Sequence, residues 1–258
     1  GKLNEAINFF QKSIEIKSDF INGYYNLGNT LKMLGKLDEA KKNFDKVLEL
    51  NPKLEEAKEN LQIISELREL KSIVKPIKNN KKIITNTNTF KTFREVEPNL
   101  IDELYKIRTL ELDKSGLHDA RYGNGKFSNF ELLQNKSSVI KKAKHDLVKI
   151  MEEAVKAKIF IKESFFNIFK TGSGVRPHAH FSDFDKNMGY EYQKFSLVYY
   201  LSVGDQKSSE PGILNLYDPK KEILPSKGLL LIFPATQKHA ASYNGNEDRI
   251  MIGINFYS

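Results

Sequence analysis

The sequence contains no cysteine. That excludes a disulfide scaffold, a cysteine nucleophile, and zinc or iron–sulfur centres held by thiolates. It also lacks any apolar run approaching the ~18–20 residues a membrane span needs, which excludes an integral helical membrane protein. Histidine is scarce, with five in 258 residues. Acidic residues are missing from 71–90, where five lysines supply +5 of the formal net charge of +8, whereas the last 98 residues sum to about +1. Charge confined to one polar stretch reads first as a solvated linker and second as a contact strip for an anionic partner. Without interleaved aromatics or a recognised module, it argues against nucleic-acid binding. What is present, 40 % hydrophobic and 29 % charged residues, is the composition of a soluble globular chain with one large domain or two modest ones. We expect a cytoplasmic location.

The first 70 residues repeat. Gly1–Phe10 (GKLNEAINFF) matches Gly35–Phe44 (GKLDEAKKNF) at an offset of 34 residues. Within the complete unit, Tyr24, Leu27, Gly28, Leu31, Gly35, Ala40, Phe44 and Pro52 recur at the spacing of a helix–turn–helix repeat. Small Gly28 and Ala40 allow two helices to approach, Leu27 and Phe44 fill the seam, and Pro52 ends the second helix. This pattern resembles the tetratricopeptide repeat, which implies a concave surface for a protein or peptide partner. The chain enters in the middle of one repeat, so we expect a longer array upstream. A further helix at about 53–73 would cap the stack.

The sequence thus divides into 1–73, repeat helices; 74–90, a Lys/Asn-rich linker; and 91–258, a second domain. A first strand is expected near Ile83–Phe93 and helices over Asn99–Leu112 and Ser137–Lys158, the latter with Ile140, Ala143, Leu147, Ile150, Met151, Ala154 and Val155 on one face. Between them, DARYGNGKFSNF reads as a loop. Its Arg121–Gly125 segment has two glycines near an arginine, as an anion-binding nest would, or borders a site mouth as a lid; it is not a phosphate loop. From Ser164 the pattern changes to short β runs, SFFNIFKT, FSLVYYLSV, ILNLYD, GLLLIFP and RIMIGINFY, separated by turn residues such as Asp218–Pro219. The predicted fold is two-part: α-helical repeats, then an α+β domain whose jelly-roll core is braced by helices.

Three of the five histidines fall in the β region: His178 and His180 after a Gly-containing turn, and His239 just after GLLLIFP. A pair two apart on an extended segment projects to the same side, and a third imidazole from a distant strand can close a facial metal site. Arg249 follows His239 by ten residues, and a guanidinium there suits a carboxylate. His118 and His145 are expected to be structural or exposed.

This spacing resembles the Fe(II)/2-oxoglutarate-dependent dioxygenases of the prolyl-hydroxylase-like, double-stranded β-helix superfamily: His-x-Asp, a distal His, then Arg or Lys about ten residues on. One subgroup, which often shares its chain with tetratricopeptide repeats, also has SLVYYL (196–201), G-x-L-x-x-x-D-P (Gly212–Pro219), the five-residue step from Pro234 to His239, and NGNEDRIMIGINF (244–256) with its Asn255. The resemblance is strong over 164–257 and faint over 90–160. It implies an oxygenase that consumes O2 and 2-oxoglutarate and hydroxylates a C–H bond, with His178 and His239 holding Fe(II) and Arg249 pairing the distal C5 carboxylate of the cosubstrate. Asn167 is a candidate for the C1 carboxylate; its plain alternative is a bond to a neighbouring strand.

Two departures matter. His180 stands where the family has a carboxylate, so the triad adds no ligand charge. The subgroup accommodates His-x-His, so His180 is retained as a ligand, with Asp183 or Asp185 from the following loop as the alternative. The hydroxyl many relatives carry two residues after the arginine is missing here, which makes Ser196, Tyr199 and Tyr200 the candidates the resemblance leaves for a second donor to the C5 carboxylate. Alternation places Ser196, Val198 and Tyr200 on one strand face and Leu197 and Tyr199 on the other, without saying which is inside. A protein or peptide side chain is the first expectation for the substrate. The competing reading is a non-catalytic jelly-roll on a protein-interaction scaffold.

Overall fold

A computed structural model describes residues 2–75, 89–112, 120–205 and 212–258. By contacts the chain forms two compact units: Gly1–Lys78 with Ser182–Tyr190, and Asn79–Phe181 with Glu191–Ser258. Most of the expected linker, residues 76–88, and His118 lie outside the described residues.

The first unit contains α1 (Lys2–Ile16), α2 (Ile21–Met33), α3 (Leu37–Leu50) and α4 (Glu55–Ile73), each packed on the next. The repeat positions do the packing. Ala40 and Phe44 are fully buried, and a Cβ added at Gly28 would sit 2.9 Å from the Phe44 ring. Helix α2 ends in a Schellman turn: Gly35 adopts φ +72, its N–H donates to the Lys32 carbonyl, and Lys36 N–H donates to Leu31. A short helix from the later sequence, Asp183–Met188 (numbered α7 in chain order), belongs to this unit, although patterning had grouped it with the β-rich segment. Met188 fills the space over Gly35, and the buried Tyr190 hydroxyl donates to the Val74 carbonyl at 3.3 Å.

The second unit is built on two antiparallel sheets. Its strands are β1 (Phe90–Phe93), β2 (Leu110–Glu111), β3 (Arg121–Tyr122), β4 (Gly125–Phe127), β5 (Phe160–Phe169), β6 (Ser173–His178), β7 (Lys194–Val203), β8 (Leu214–Leu216), β9 (Lys221–Ile223), β10 (Leu229–Pro234), β11 (His239–Tyr243) and β12 (Arg249–Tyr257). One sheet has the order β1-β10-β7-β12-β5-β4-β2, the other β3-β6-β11-β8-β9. Helices α5 (Leu100–Tyr105) and α6 (Ser138–Val155) cover the outer face of the larger sheet. There Leu104, Ile140, Leu147 and Met151 pack on Ile250, Ile252 and Ile254 of β12 and Leu197, Tyr199 and Leu201 of β7. A second core, including Phe169, Leu216, Leu231, Phe233 and Tyr243, fills the space between the sheets. β12 is buried at every position, because one face meets helices and the other meets the barrel interior.

Two local expectations are corrected. The helix expected over Asn99–Leu112 stops at Tyr105, because Leu110–Glu111 pairs with β4 and Leu112 is buried between the sheets, where a continuing helix could not deliver it. The segment expected as a loop holds β3 and β4, one in each sheet, joined across Gly123 at φ +82. Any Cβ at Gly123 would collide with the Gly172 backbone, so close approach as well as dihedral angle requires glycine.

Candidate metal centre

β6 and β11 pair antiparallel, and the register sets His178 directly opposite His239. His180, two residues beyond the end of β6, is held by a hydrogen bond from its N–H to the Ala235 carbonyl at 2.9 Å. The ring centroids of His178 lie 4.8 Å from His180 and 4.3 Å from His239, and those of His180 and His239 are 5.1 Å apart. One nitrogen from each ring can be chosen so that all three lie within 4.8 Å of one another. Among the described residues this is the group of side chains that could hold a metal ion.

Two of the imidazoles, His180 and His239, are in the right protonation state for that role. Burial, reinforced by the neighbouring rings, pushes His180 down to about 2; burial, with His178 beside it, pushes His239 down to about 3. Both are therefore neutral near pH 7 and offer lone pairs. His178 Nδ1 donates to the Arg176 carbonyl at 2.8 Å and His239 Nδ1 to the Gln237 carbonyl at 3.4 Å, which leaves Nε2 of each ring as the acceptor. His180 is held differently. Asn255 Nδ2 lies 3.3 Å from its Nδ1 and donates to Glu163 Oε2 at 2.8 Å, while Asn255 Oδ1 accepts from Ser196 Oγ at 2.9 Å. Neither Glu163 nor the linking role of Asn255 was apparent from sequence, since three separate strands assemble this chain.

The histidines open into a cavity of about 480 Å³ inside the barrel. Ser196, Val198 and Tyr200 line it, which answers the question of the β7 face that alternation left open. Asn167 also lines it. Tyr200 is fully buried, and burial pushes its hydroxyl up to about 12, so it is a neutral donor. Tyr199 points the other way, into the helix-covered core, where its hydroxyl accepts from Arg94 at 3.1 Å and donates to the Glu95 carbonyl at 3.0 Å. It is thus removed from the cavity. Asp185 is fully buried and caps α7, its Oδ2 accepting from Ser182 N–H at 2.8 Å and from Ser182 Oγ at 2.7 Å. Asp183 is exposed in the first turn of the same helix, and neither aspartate belongs to the metal-capable group. His145 is exposed on α6.

Arg249 shares the inward face of β12 with Met251, Gly253 and Asn255 but does not itself line the cavity. Only 1 % exposed, its guanidinium stacks 4.5 Å from the Tyr243 ring and donates from Nη1 to the Gly212 carbonyl at 2.8 Å. Burial lowers its pKa, so a carboxylate arriving beside it would recover electrostatic stabilisation. Arg121, by contrast, lines the cavity.

The comparisons bear on the two parts of the chain separately. Residues 1–35 match the family model described as TPR repeat, and residues 21–54 the one described as tetratricopeptide repeat. No curated protein sequence matches the chain. Among solved structures, it is similar to the non-heme alpha ketoglutarate dependent epimerase SnoN from nogalamycin biosynthesis (10 % identity, 67 % of this chain and 77 % of that one, TM-score 0.50). It is also similar to HygX from Streptomyces hygroscopicus with nickel, 2-oxoglutarate and hygromycin B bound (13 % identity, 67 % and 83 %, TM-score 0.50). A third is the viral collagen prolyl hydroxylase of Paramecium Bursaria Chlorella virus-1 in its 2-oxoglutarate complex (15 % identity, 69 % and 99 %, TM-score 0.49). At these identities the likeness is one of fold: the chain joins tetratricopeptide helices to a jelly-roll of the kind found in 2-oxoglutarate oxygenases.

Proposed function

We propose that the protein is an Fe(II)- and 2-oxoglutarate-dependent oxygenase that hydroxylates a protein or peptide side chain engaged through its repeat helices. The observation that carries this reading is the convergence of three imidazoles, two with Nδ1 turned to backbone carbonyls, at one cavity in the jelly-roll. Such a donor set fits a divalent first-row metal, and nitrogen donors alone admit several of them. When bound, iron and 2-oxoglutarate would together supply the O2 chemistry that hydroxylates an unactivated C–H bond.

The protein's own groups have separable tasks. His178, His180 and His239 would hold the metal, and their backbone and amide partners fix each ring plane before it arrives. Tyr200, on the inner face of β7, is the neutral donor for a cosubstrate oxygen, while the Ser196 hydroxyl beside it gives its proton to Asn255. Arg249, behind Met251 on β12, is the buried cation for a distal carboxylate. Apolar Val198, Leu214 and Ala241 line the same cavity and limit water around the reacting groups.

Anaerobic titration with Fe(II) and 2-oxoglutarate, read by the visible metal-to-ligand charge-transfer band, tests this proposal. We expect a band in the wild type that is lost in His239→Ala and weakened in Arg249→Gln. A second reading, a jelly-roll that binds partners without turnover, draws on the missing carboxylate ligand and on the Arg249 bond to the Gly212 carbonyl. No band and no thermal shift with either addition would select it.

A further inference from the structure

Three inward rungs of the β5–β12 ladder line the cavity: Glu163 opposite Asn255, Phe165 opposite Gly253, and Asn167 opposite Met251. They order its chemistry along one wall. The Asn255 rung adjoins the histidines, since Asn255 Nδ2 lies 3.3 Å from His180 Nδ1. Arg121 belongs to the Asn167 rung, where it donates to Asn167 Oδ1 at 3.2 Å and stacks 3.8 Å from the Phe127 centroid. Glu163 and Asn167 are four residues, and so about 13 Å, apart along the strand. Between these rungs lies the Phe165 ring. A Cβ added at Gly253 would fall 2.5 Å from it, so the glycine lets the ring lie against β12. Phe130 meets Phe165 edge-on, with centroids 5.5 Å apart and planes at 80°. Phe130 lines the cavity and is also 43 % exposed, so the aromatic wall runs out to solvent.

Glu163 is the carboxylate among the lining residues. Its Oε2 accepts from Asn255 Nδ2 at 2.8 Å; among the described residues that amide is its hydrogen-bond partner, and no lysine or arginine is ion-paired with it. A carboxylate at a partly desolvated wall is stabilised most by a cation, and an amide N–H supplies only part of that. With Oε2 engaged, Oε1 is left for a donor that enters the cavity. A guanidinium fork is best met by both oxygens of a carboxylate, whereas the compact, rotatable ammonium is satisfied by one. Phe165, two positions along the same strand face, and Phe130 beyond it offer apolar surface to an alkyl stem that ends in such a group.

Resting on the oxygenase reading, we propose that Glu163 receives an ammonium group of the primary substrate, so that the molecule acted on is a cationic amine whose alkyl stem packs on Phe165 and Phe130. That ammonium can come from a lysine side chain in a peptide or from a free amino acid. The arms of the test separate these sources.

The test uses the full chain loaded with Zn(II), a redox-inert stand-in for iron, and saturating 2-oxoglutarate, and reads binding by ligand-observed NMR. The probes are N-acetyl-lysine N-methylamide as the peptide-borne amine, free L-lysine as the free amine, N-acetyl-norleucine N-methylamide as the neutral analogue, and N-acetyl-arginine N-methylamide as the guanidinium. We expect at least one ammonium probe to bind about tenfold or more tightly than the neutral analogue, and more tightly than the guanidinium. Glu163→Gln keeps an oxygen for Asn255 but removes the charge, and should erase the preference; Glu163→Asp should keep part of it. Thermal melts establish that both variants are folded. Equal binding of ammonium and neutral probes, no binding of either ammonium by the wild type, or tighter binding of the guanidinium overturns the proposal. So does a Glu163→Gln variant that keeps the preference while its Zn(II) Kd rises about tenfold or more, since Glu163 would then act only through Asn255 on His180. The same probes applied to the metal-free protein without 2-oxoglutarate keep the two readings distinct. A wild type that forms no charge-transfer band with Fe(II) but still prefers the ammonium through Glu163 defeats only the oxygenase reading.

Discussion

His178 and His239 are cross-strand partners on β6 and β11, with ring centroids 4.3 Å apart. Sixty-one residues separate them in sequence, yet the antiparallel register makes them immediate neighbours. The ladder shifts just beyond His239, between it and Ala241, and such irregularities re-aim side chains at sites. His180 joins them from outside the ladder, so two of the proposed ligands stand on rigid strands and one on a short extension.

That difference predicts unequal consequences of substitution. His178→Ala and His239→Ala should each lower Fe(II) affinity by more than ~100-fold, beyond what loss of an outer partner causes. His180→Asp, which restores the carboxylate of related sites, should keep affinity within about tenfold of wild type. Isothermal titration under anaerobic conditions checks both. An equal collapse in all three variants would contradict the division between strand-borne ligands and His180.

Asn255 links Ser196, Glu163 and His180, so it is a positioning residue. Asn255→Ala should weaken metal binding about 10–100-fold without changing the identity of the ligands. The accompanying signature is a changed histidine environment in the electron-spin-echo or NMR spectrum of a metal-substituted protein. Unchanged affinity together with an unchanged spectrum would reduce Asn255 to a packing residue.

The metal-free protein should lose stability as the pH falls below neutrality. His180 and His239 have folded-state values of about 2 and about 3, far below the ordinary 6.5. Above about 6.5 both folded and unfolded chains carry these rings neutral, and the contribution is fully present. Between 6.5 and the folded-state values only the unfolded chain takes up protons, so stability drops by up to about 1.4 kcal/mol per pH unit for each ring. Urea unfolding at pH 7 and pH 5 measures the drop, and the His180→Asn/His239→Asn double variant should flatten it. A double variant as steep as the wild type would place the acid sensitivity elsewhere.

In the repeat unit, Phe44 is fully buried against Gly28. Phe44→Ala should cost about 3–5 kcal/mol from lost burial and a residual cavity. Gly28→Ala should cost about 1–3 kcal/mol, because its Cβ would fall 2.9 Å from the ring. The two changes share one contact, so the double variant should lose less than the sum. Helical ellipticity followed through thermal unfolding tests this, and strict additivity would show that the ring and the glycine do not constrain one another.

Sequence alone determined the repeat helices, because a 34-residue period with small residues at the crossing and aromatics in the seam admits few other structures. It also determined the β character after Ser164 and the spacing of His178, His180, His239 and Arg249, since alternation and interval are one-dimensional properties. Only the tertiary structure decided which face of β7 is inside. A period of two says that Ser196 and Tyr200 share a side and Tyr199 takes the other, but the second sheet must be present before one side becomes the cavity. The same holds for Arg121, whose glycine-rich neighbourhood reads as a loop until pairing with β6 and the rings of Phe127, Phe130 and Phe165 aim it inward. It holds too for Asp185, an apparent ligand by proximity in sequence that hydrogen bonding to Ser182 turns into a helix cap. Pattern records which residues travel together along an element; long-range pairing between elements sets what each of them faces.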